Sequence, residues 1–172
     1  VPIPDSATSR LIQALDLQPH PEGGYFRETY RSPERILRSD NRERSASTAI
    51  YYLLQSSDYS AWHRIRSDEL WHFHAGTPLD VHVLGDNGSV VTHRLGNPLA
   101  HAGAVFQALV PANHWFAAER VQDIGSEDFA LLGCTVAPGF EFSEFELGDT
   151  AALLAAHPNH AALIRRLAPK SA

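Results

Sequence analysis

From residue 46 onward the chain is a succession of short β-rich runs separated by turn residues, and that pattern confines it to an all-β sandwich or barrel. Residues 47–54 (Ser-Thr-Ala-Ile-Tyr-Tyr-Leu-Leu), 60–65 and 69–74 read as strands, the last closing at Ala75-Gly76-Thr77-Pro78. Residues 80–84 alternate and end at Gly85-Asp86-Asn87-Gly88, a strong hairpin signal, so residues 90–95 are expected to pair back onto them. Residues 105–110 stop at Pro111-Ala112-Asn113, residues 114–118 begin again, and the mostly apolar run 129–136 ends at Pro138-Gly139. An earlier strand is expected over residues 25–31, where Tyr25, Arg27, Thr29 and Arg31 alternate with Phe26, Glu28 and Tyr30.

Helices are expected only at the ends. Ser6 or Thr8 can cap a first helix over about 6–17, with Leu11, Ile12 and Leu15 on one face. Gln18-Pro19-His20-Pro21-Glu22-Gly23-Gly24 then stops it. Asp149 can cap the start of a terminal helical stretch over about 150–168, and Pro158 suits a helix start before Ala161, Leu163, Ile164 and Leu167. Residues 32–45 are polar and Arg-rich, most simply a solvated loop or edge excursion. With no internal repeat and no separating linker, residues 1–172 are expected to form one domain with a barrel core over about 22–146.

Composition removes several function classes. A formal net charge of −6 argues against non-specific grip on nucleic acid or an anionic membrane. Lys170 is the only lysine, so Schiff-base chemistry within the barrel is excluded. The single cysteine, Cys134, rules out an internal disulfide and a Cys-rich zinc site, and it reads as an inert core residue. No apolar run reaches the ~20 residues of a membrane span, and the start lacks the pattern of a signal peptide. The expected setting is cytoplasmic. Ten histidines are the first pointer to chemistry.

The densest chemical stretch runs from Trp62-His63 to Ala75-Gly76. Two strands joined by a short turn would bring His63 and Glu69 together. Alternation places Glu69, Trp71 and Phe73 on one face, with Leu70, His72 and His74 on the other. The aromatic face belongs inside a barrel, with the carboxylate at its end.

His63, Glu69 and then six residues to Gly76 resemble the first signature of the cupin superfamily, and Pro111-Ala112-Asn113 before an aromatic strand resembles the second. Within that superfamily five blocks are similar, in order, to the DUF985 (cupin 5) family. They start at Pro21-Glu22-Gly23-Gly24, Ser47-Thr48-Ala49-Ile50, Trp62-His63-Arg64-Ile65, Glu69-Leu70-Trp71-His72 and Pro111-Ala112-Asn113-His114. The resemblance implies a double-stranded β-helix (jelly-roll) barrel, a homodimer, and a pocket for a small-molecule ligand at the barrel mouth. It also implies kinship with RmlC-like sugar-nucleotide epimerases.

On that basis His63 is expected as general base, oriented by Glu69, in an epimerase or isomerase. Tyr25, Arg27, Tyr52, Trp71, Phe73 and Phe116 are expected to contact the ligand, with Tyr25, Tyr51, Tyr52 or Arg27 donating to a developing enolate. A metal-binding cupin offers three histidines and a glutamate. Here Ile65 and Phe116 stand at two of those positions, so only His63 and Glu69 remain as possible ligands to a divalent metal, and no cofactor is expected. The alternatives are a non-catalytic binding barrel and a metal-dependent cupin enzyme. His82, His93 and His101 read as surface residues, Glu22-Gly23-Gly24 as a tight turn, and the arginines at 31, 35, 38, 42 and 44 as a solvated series.

Overall fold

The computed structural model describes residues 6–121 and 128–170; residues 1–5, on which the signal-peptide expectation falls, lie outside the described residues. Ser6 caps the first helix, its side chain accepting from the Ser9 amide, and α1 spans Ala7–Ala14. Strands follow as β1 (Gln18–Pro19), β2 (Tyr25–Arg31), β3 (Arg35–Leu37), β4 (Glu43–Ser45), β5 (Thr48–Gln55), β6 (Tyr59–Arg64) and β7 (Asp68–Gly76). Next come β8 (Leu79–Leu84), β9 (Val90–Leu95), β10 (Gln107–Val110), β11 (Phe116–Arg120), β12 (Phe129–Ala137) and β13 (Glu146–Leu147). Asp149 caps α2 (Thr150–Ala156) by accepting from the Ala152 amide, and α3 (Ala161–Arg166) ends the fold.

The strands form two antiparallel sheets, ordered β1-β2-β5-β12-β7-β10 and β13-β6-β11-β8-β9, which face each other as a jelly-roll barrel. Val83 pairs with Val91 across the β8–β9 hairpin, as the Asp86-Asn87-Gly88 turn demands. Alternation sends Ile50, Tyr52 and Leu54 of β5 inward, where they meet Trp71, Phe116, Leu132 and Cys134. Each fully buried Trp, Phe or Leu in this layer contributes about 1.5–3 kcal/mol. Two satellite cores lie outside the barrel. Against the five-stranded sheet, Leu153, Ile164 and Leu167 cover Trp62; against the six-stranded sheet, α1 lays Leu11, Ile12 and Leu15 over Leu53 and Leu131.

Two expectations are corrected here. Residues 32–45 hold the β3–β4 hairpin rather than a plain loop, and Arg44 is buried against the Glu144 carboxylate, which Arg38 also approaches at 3.3 Å. His82 is buried rather than superficial, held between Thr92 Oγ1 at 2.9 Å and Glu119 Oε1 at 3.2 Å.

Candidate active site

At one end of the barrel interior lies a cavity of about 80 Å³. Its apolar wall is Phe26, Ile50, Ile65, Val136 and the aromatic trio Phe140, Phe142 and Phe145. Its polar groups include His20, Glu22, Tyr52, His63 and Glu69, with Glu28, Arg31 and Glu141 among the residues around it. The trio comes from the irregular segment after β12, whose short 3-10 turn Phe142–Glu144 is followed by β13 pairing Leu147 with His63.

His63 on β6 and Glu69 on β7 reach this cavity from the two opposed sheets. The structure, however, gives the imidazole a different carboxylate. Glu22 Oε2 lies 3.0 Å from His63 Nε2, and Ser60 donates to Glu22 Oε1 at 2.8 Å. His63 Nδ1–H donates to the Ala61 carbonyl at 2.7 Å, so both ring nitrogens are engaged. Burial alone would push the imidazole pKa down, but the Glu22 charge and hydrogen bond, with Glu69 and the Ala61 carbonyl, raise it. Burial likewise pushes the Glu22 carboxyl up, and the His63 charge, the neighbouring His20 ring and the His63 and Ser60 hydrogen bonds overcome it, holding Glu22 at about 2. Both ring nitrogens face acceptors, the Ala61 carbonyl and the Glu22 carboxylate, so the pair is an imidazolium and a carboxylate.

Glu69 stands differently. It is buried, its polar neighbours are the Cys134 thiol and the Trp71 indole, and among the described residues it pairs with no cation at ion-pair distance. Burial is the largest influence and raises its carboxyl to about 7, with the Glu22 charge adding to the rise and the His63 charge opposing it.

The Glu22 carboxylate reaches the interior because two glycines follow it. Gly23 (φ 114°) and Gly24 (φ 70°) turn the chain so tightly that a Cβ on Gly23 would stand 2.2 Å from the Tyr59 carbonyl oxygen. Glu22 O accepts from the Ala61 amide, docking the turn on β6. The preceding His20 is held by rings: its centroid is 4.6 Å from Phe26 and 5.9–6.0 Å from Tyr52, Phe142 and Phe145.

Of the expected ligand contacts, Tyr52 lines the cavity. Trp71 and Phe116 are fully buried behind it, with the Phe116 ring 4.0 Å from His63, and Phe73 packs into the same core. Tyr25 lies on the other face of the sheet with Leu53 and α1, and Arg27, two residues on, is exposed and takes no part in the cavity. β2 presents its alternate residues Phe26 and Glu28, and a bulge between Glu28 and Tyr30 re-aims Arg31 to the same side. His72 and His74 belong to the outer face, His72 bonded to Thr135 Oγ1 at 3.0 Å.

The donors do not fit a cupin metal. Ile65 lines the cavity and Phe116 packs on His63, both without a ligating atom, and His63 has no nitrogen to spare. Among the described residues no three His, Cys, Asp or Glu side chains converge as a metal site. Sequence reasoning missed His20, Glu22 and the phenylalanine trio; the signal within reach was an acid placed directly before a Gly-Gly pair.

Comparison with known proteins adds three relatives and one family. The family model described as "Cupin superfamily (DUF985)" matches residues 9–148. An uncharacterized Saccharomyces cerevisiae protein, YML079W, is 32% identical over 155 residues, covering 84% of this chain and 76% of its own. A hypothetical protein from Leishmania major superposes with a TM-score of 0.88 at 32% identity, over 96% of this chain and 99% of that one. Protein SO0799 from Shewanella oneidensis gives a TM-score of 0.82 at 38% identity, over 94% and 96%.

Proposed function

The chain belongs to the DUF985 (Cupin_5) family of the cupin superfamily, and from that premise we propose that it is a small-molecule enzyme of the epimerase or isomerase kind, in which Glu69 carries the proton. One observation supports this above the rest: two buried carboxyls share a cavity, and only one has a cationic partner. Glu22 faces the His63 imidazolium at 3.0 Å, whereas Glu69 has no cation within ion-pair distance among the described residues. Acid–base enzymes separate the roles of two carboxyls in this way, one held charged and the other trading a proton near neutrality.

His63 was the expected base. As an imidazolium bonded at both nitrogens it has no lone pair to offer, so the base role passes to Glu69. His63 then acts as a positioning residue whose charge eases the ionisation of Glu69. No step is routed through a metal, because the donor set does not suit one. A cytoplasmic setting remains part of the proposal, in keeping with a lone, buried, free Cys134.

The test is isotope exchange. Protein in D2O is incubated with a panel of small ketones and hydroxyketones, and the carbon-bound hydrogens next to the carbonyl are followed by proton NMR. Wild type is expected to exchange at least one compound, and Glu69→Gln to slow that exchange by about 10²-fold or more while staying folded. Compounds that bind without exchanging would overturn the enzymatic reading and leave a non-catalytic binding barrel.

A further inference from the structure

We propose that His20 donates, through its Nε2–H, the hydrogen bond that holds the substrate's carbonyl oxygen, and that the substrate is a small uncharged carbonyl compound. The inference deepens the proton-transfer reading and rests on it. Removing a proton beside a carbonyl builds negative charge on the oxygen, so a donor must already be aimed there. The donors expected from sequence are not available. Tyr25, Arg27 and Tyr51 are absent from the cavity lining, and the Tyr52 hydroxyl donates to the Gly23 carbonyl at 2.8 Å. Both N–H groups of His63 are engaged, and Ser60 donates to Glu22.

His20 alone of the two cavity histidines keeps a nitrogen for a guest. The Glu22 backbone N–H donates to His20 Nδ1 at 3.2 Å, which places the ring proton on Nε2. The side chain is only 7% exposed, yet Nε2 has no hydrogen bond to any described residue, and the ring lines the cavity. Four aromatic rings fix the imidazole plane, so the N–H direction is preset. An Nδ1 that accepts from the Glu22 N–H belongs to a neutral ring, and burial, outweighing the pull of Glu22 and joined by the His63 charge, pushes the imidazole pKa down in the same sense. A neutral imidazole N–H can polarise a carbonyl without giving its proton away.

The charges around the cavity set the substrate class. Arg31 is the cation there besides His63, and its guanidinium is spent: Nε and Nη2 donate to Glu28 at 2.9 Å, and Nη1 to Glu141 at 2.9 Å. Nη2 also reaches the Phe140 carbonyl at 3.0 Å. A diphosphate or carboxylate arriving at this cavity meets the carboxyl groups of Glu22, Glu28, Glu69 and Glu141 and no unpaired cation among the described residues. An uncharged carbonyl compound meets an apolar wall and the His20 N–H.

The test is nitrogen-15 NMR of the histidine rings in Glu69→Gln protein, which cannot turn substrate over, with His20 identified by its loss in His20→Phe. The expected result is a neutral ring with the proton on Nε2 at pH 7. Hydroxyacetone should shift that signal saturably, and inorganic pyrophosphate should not. His20→Phe, which keeps an aromatic ring in the cage, should weaken hydroxyacetone binding at least tenfold with an unchanged melting temperature, and His20→Gln should recover part of it. A proton on Nδ1, a charged ring at pH 7, no response to hydroxyacetone, or a saturable response to pyrophosphate would overturn the proposal. A His20 response without isotope exchange in wild type would disprove the Glu69 role and leave the donor standing. Exchange without a His20 response would do the reverse.

Discussion

Glu22 Oε2 and His63 Nε2 lie 3.0 Å apart in the barrel interior, joining the turn before β2 to the C-terminal end of β6 in a single buried charge pair. The pair is costly to split, because removing one member leaves the other charged and unmatched in an apolar cavity. Glu22→Gln is expected to lower unfolding free energy in urea by about 3 kcal/mol and to lower the His63 pKa, since the Glu22 charge and hydrogen bond would be lost and only Glu69 and the Ala61 carbonyl would still oppose burial. An unchanged His63 titration by NMR would show that Glu22 does not set its charge.

Gly23 is the backbone condition for that pair. Its φ of 114° and the 2.2 Å approach of the Tyr59 carbonyl leave no room for a side chain. Gly23→Ala is expected to cost more than about 2 kcal/mol and to retract Glu22 from the cavity, so that its effect on His63 titration matches that of Glu22→Gln. Stability equal to wild type by thermal unfolding would contradict the tight turn.

Much of this architecture is legible in the chain itself, and the reason is periodicity. Strands over 25–31 and 90–95 stand where alternation and the turn at 85–88 put them, and the terminal helix begins at the Asp149 cap. His63 and Glu69 converge because strand alternation and a short connection leave them little choice. The rest of the site comes from aperiodic segments. His20 and Glu22 are placed by left-handed glycines docking on β6, a contact no spacing encodes. The bulge between Glu28 and Tyr30 changes the phase of β2 part-way along, so Arg31 joins the cavity with Phe26 and Glu28. Phe140, Phe142 and Phe145 sit in an irregular stretch with no pattern to read.

The outer face of the six-stranded sheet leads to an assembly prediction. Leu70 of β7 pairs in register with Leu109 of β10, the edge strand, and the two side chains stay 40% and 46% exposed. Phe106, just before β10, is half exposed as well. Apolar side chains beside an open strand edge are what a second copy would cover. Light scattering is expected to give twice the 18.9 kDa chain mass, and Leu109→Asp to give a folded monomer. A wild-type monomer at micromolar concentration would rule the homodimer out.

The two cavity carboxyls pull stability in opposite directions with pH. Glu69 has a folded value of about 7 against an ordinary 4.5, so the folded chain keeps a proton that the unfolded chain gives up. Its contribution is therefore full below about 4.5 and is lost as pH rises through about 7, a change of about 3 kcal/mol. His63, with its pKa raised, acts in the same sense: its stabilisation is present below 6.5 and lost as pH climbs through its folded value. Glu22, held at about 2, stabilises above 4.5 and loses that as pH falls toward 2. Stability in urea titrations should thus peak in mildly acidic solution, near pH 5, and decline on both sides. Glu69→Gln should flatten the decline between pH 5 and 7 and leave the acid limb in place, because the amide has no proton to release; Glu22→Gln should flatten the acid limb. A wild-type stability that rises from pH 5 to 8 would mean that Glu69 ionises freely in the folded barrel, and the acid–base role assigned to it would fall with that result.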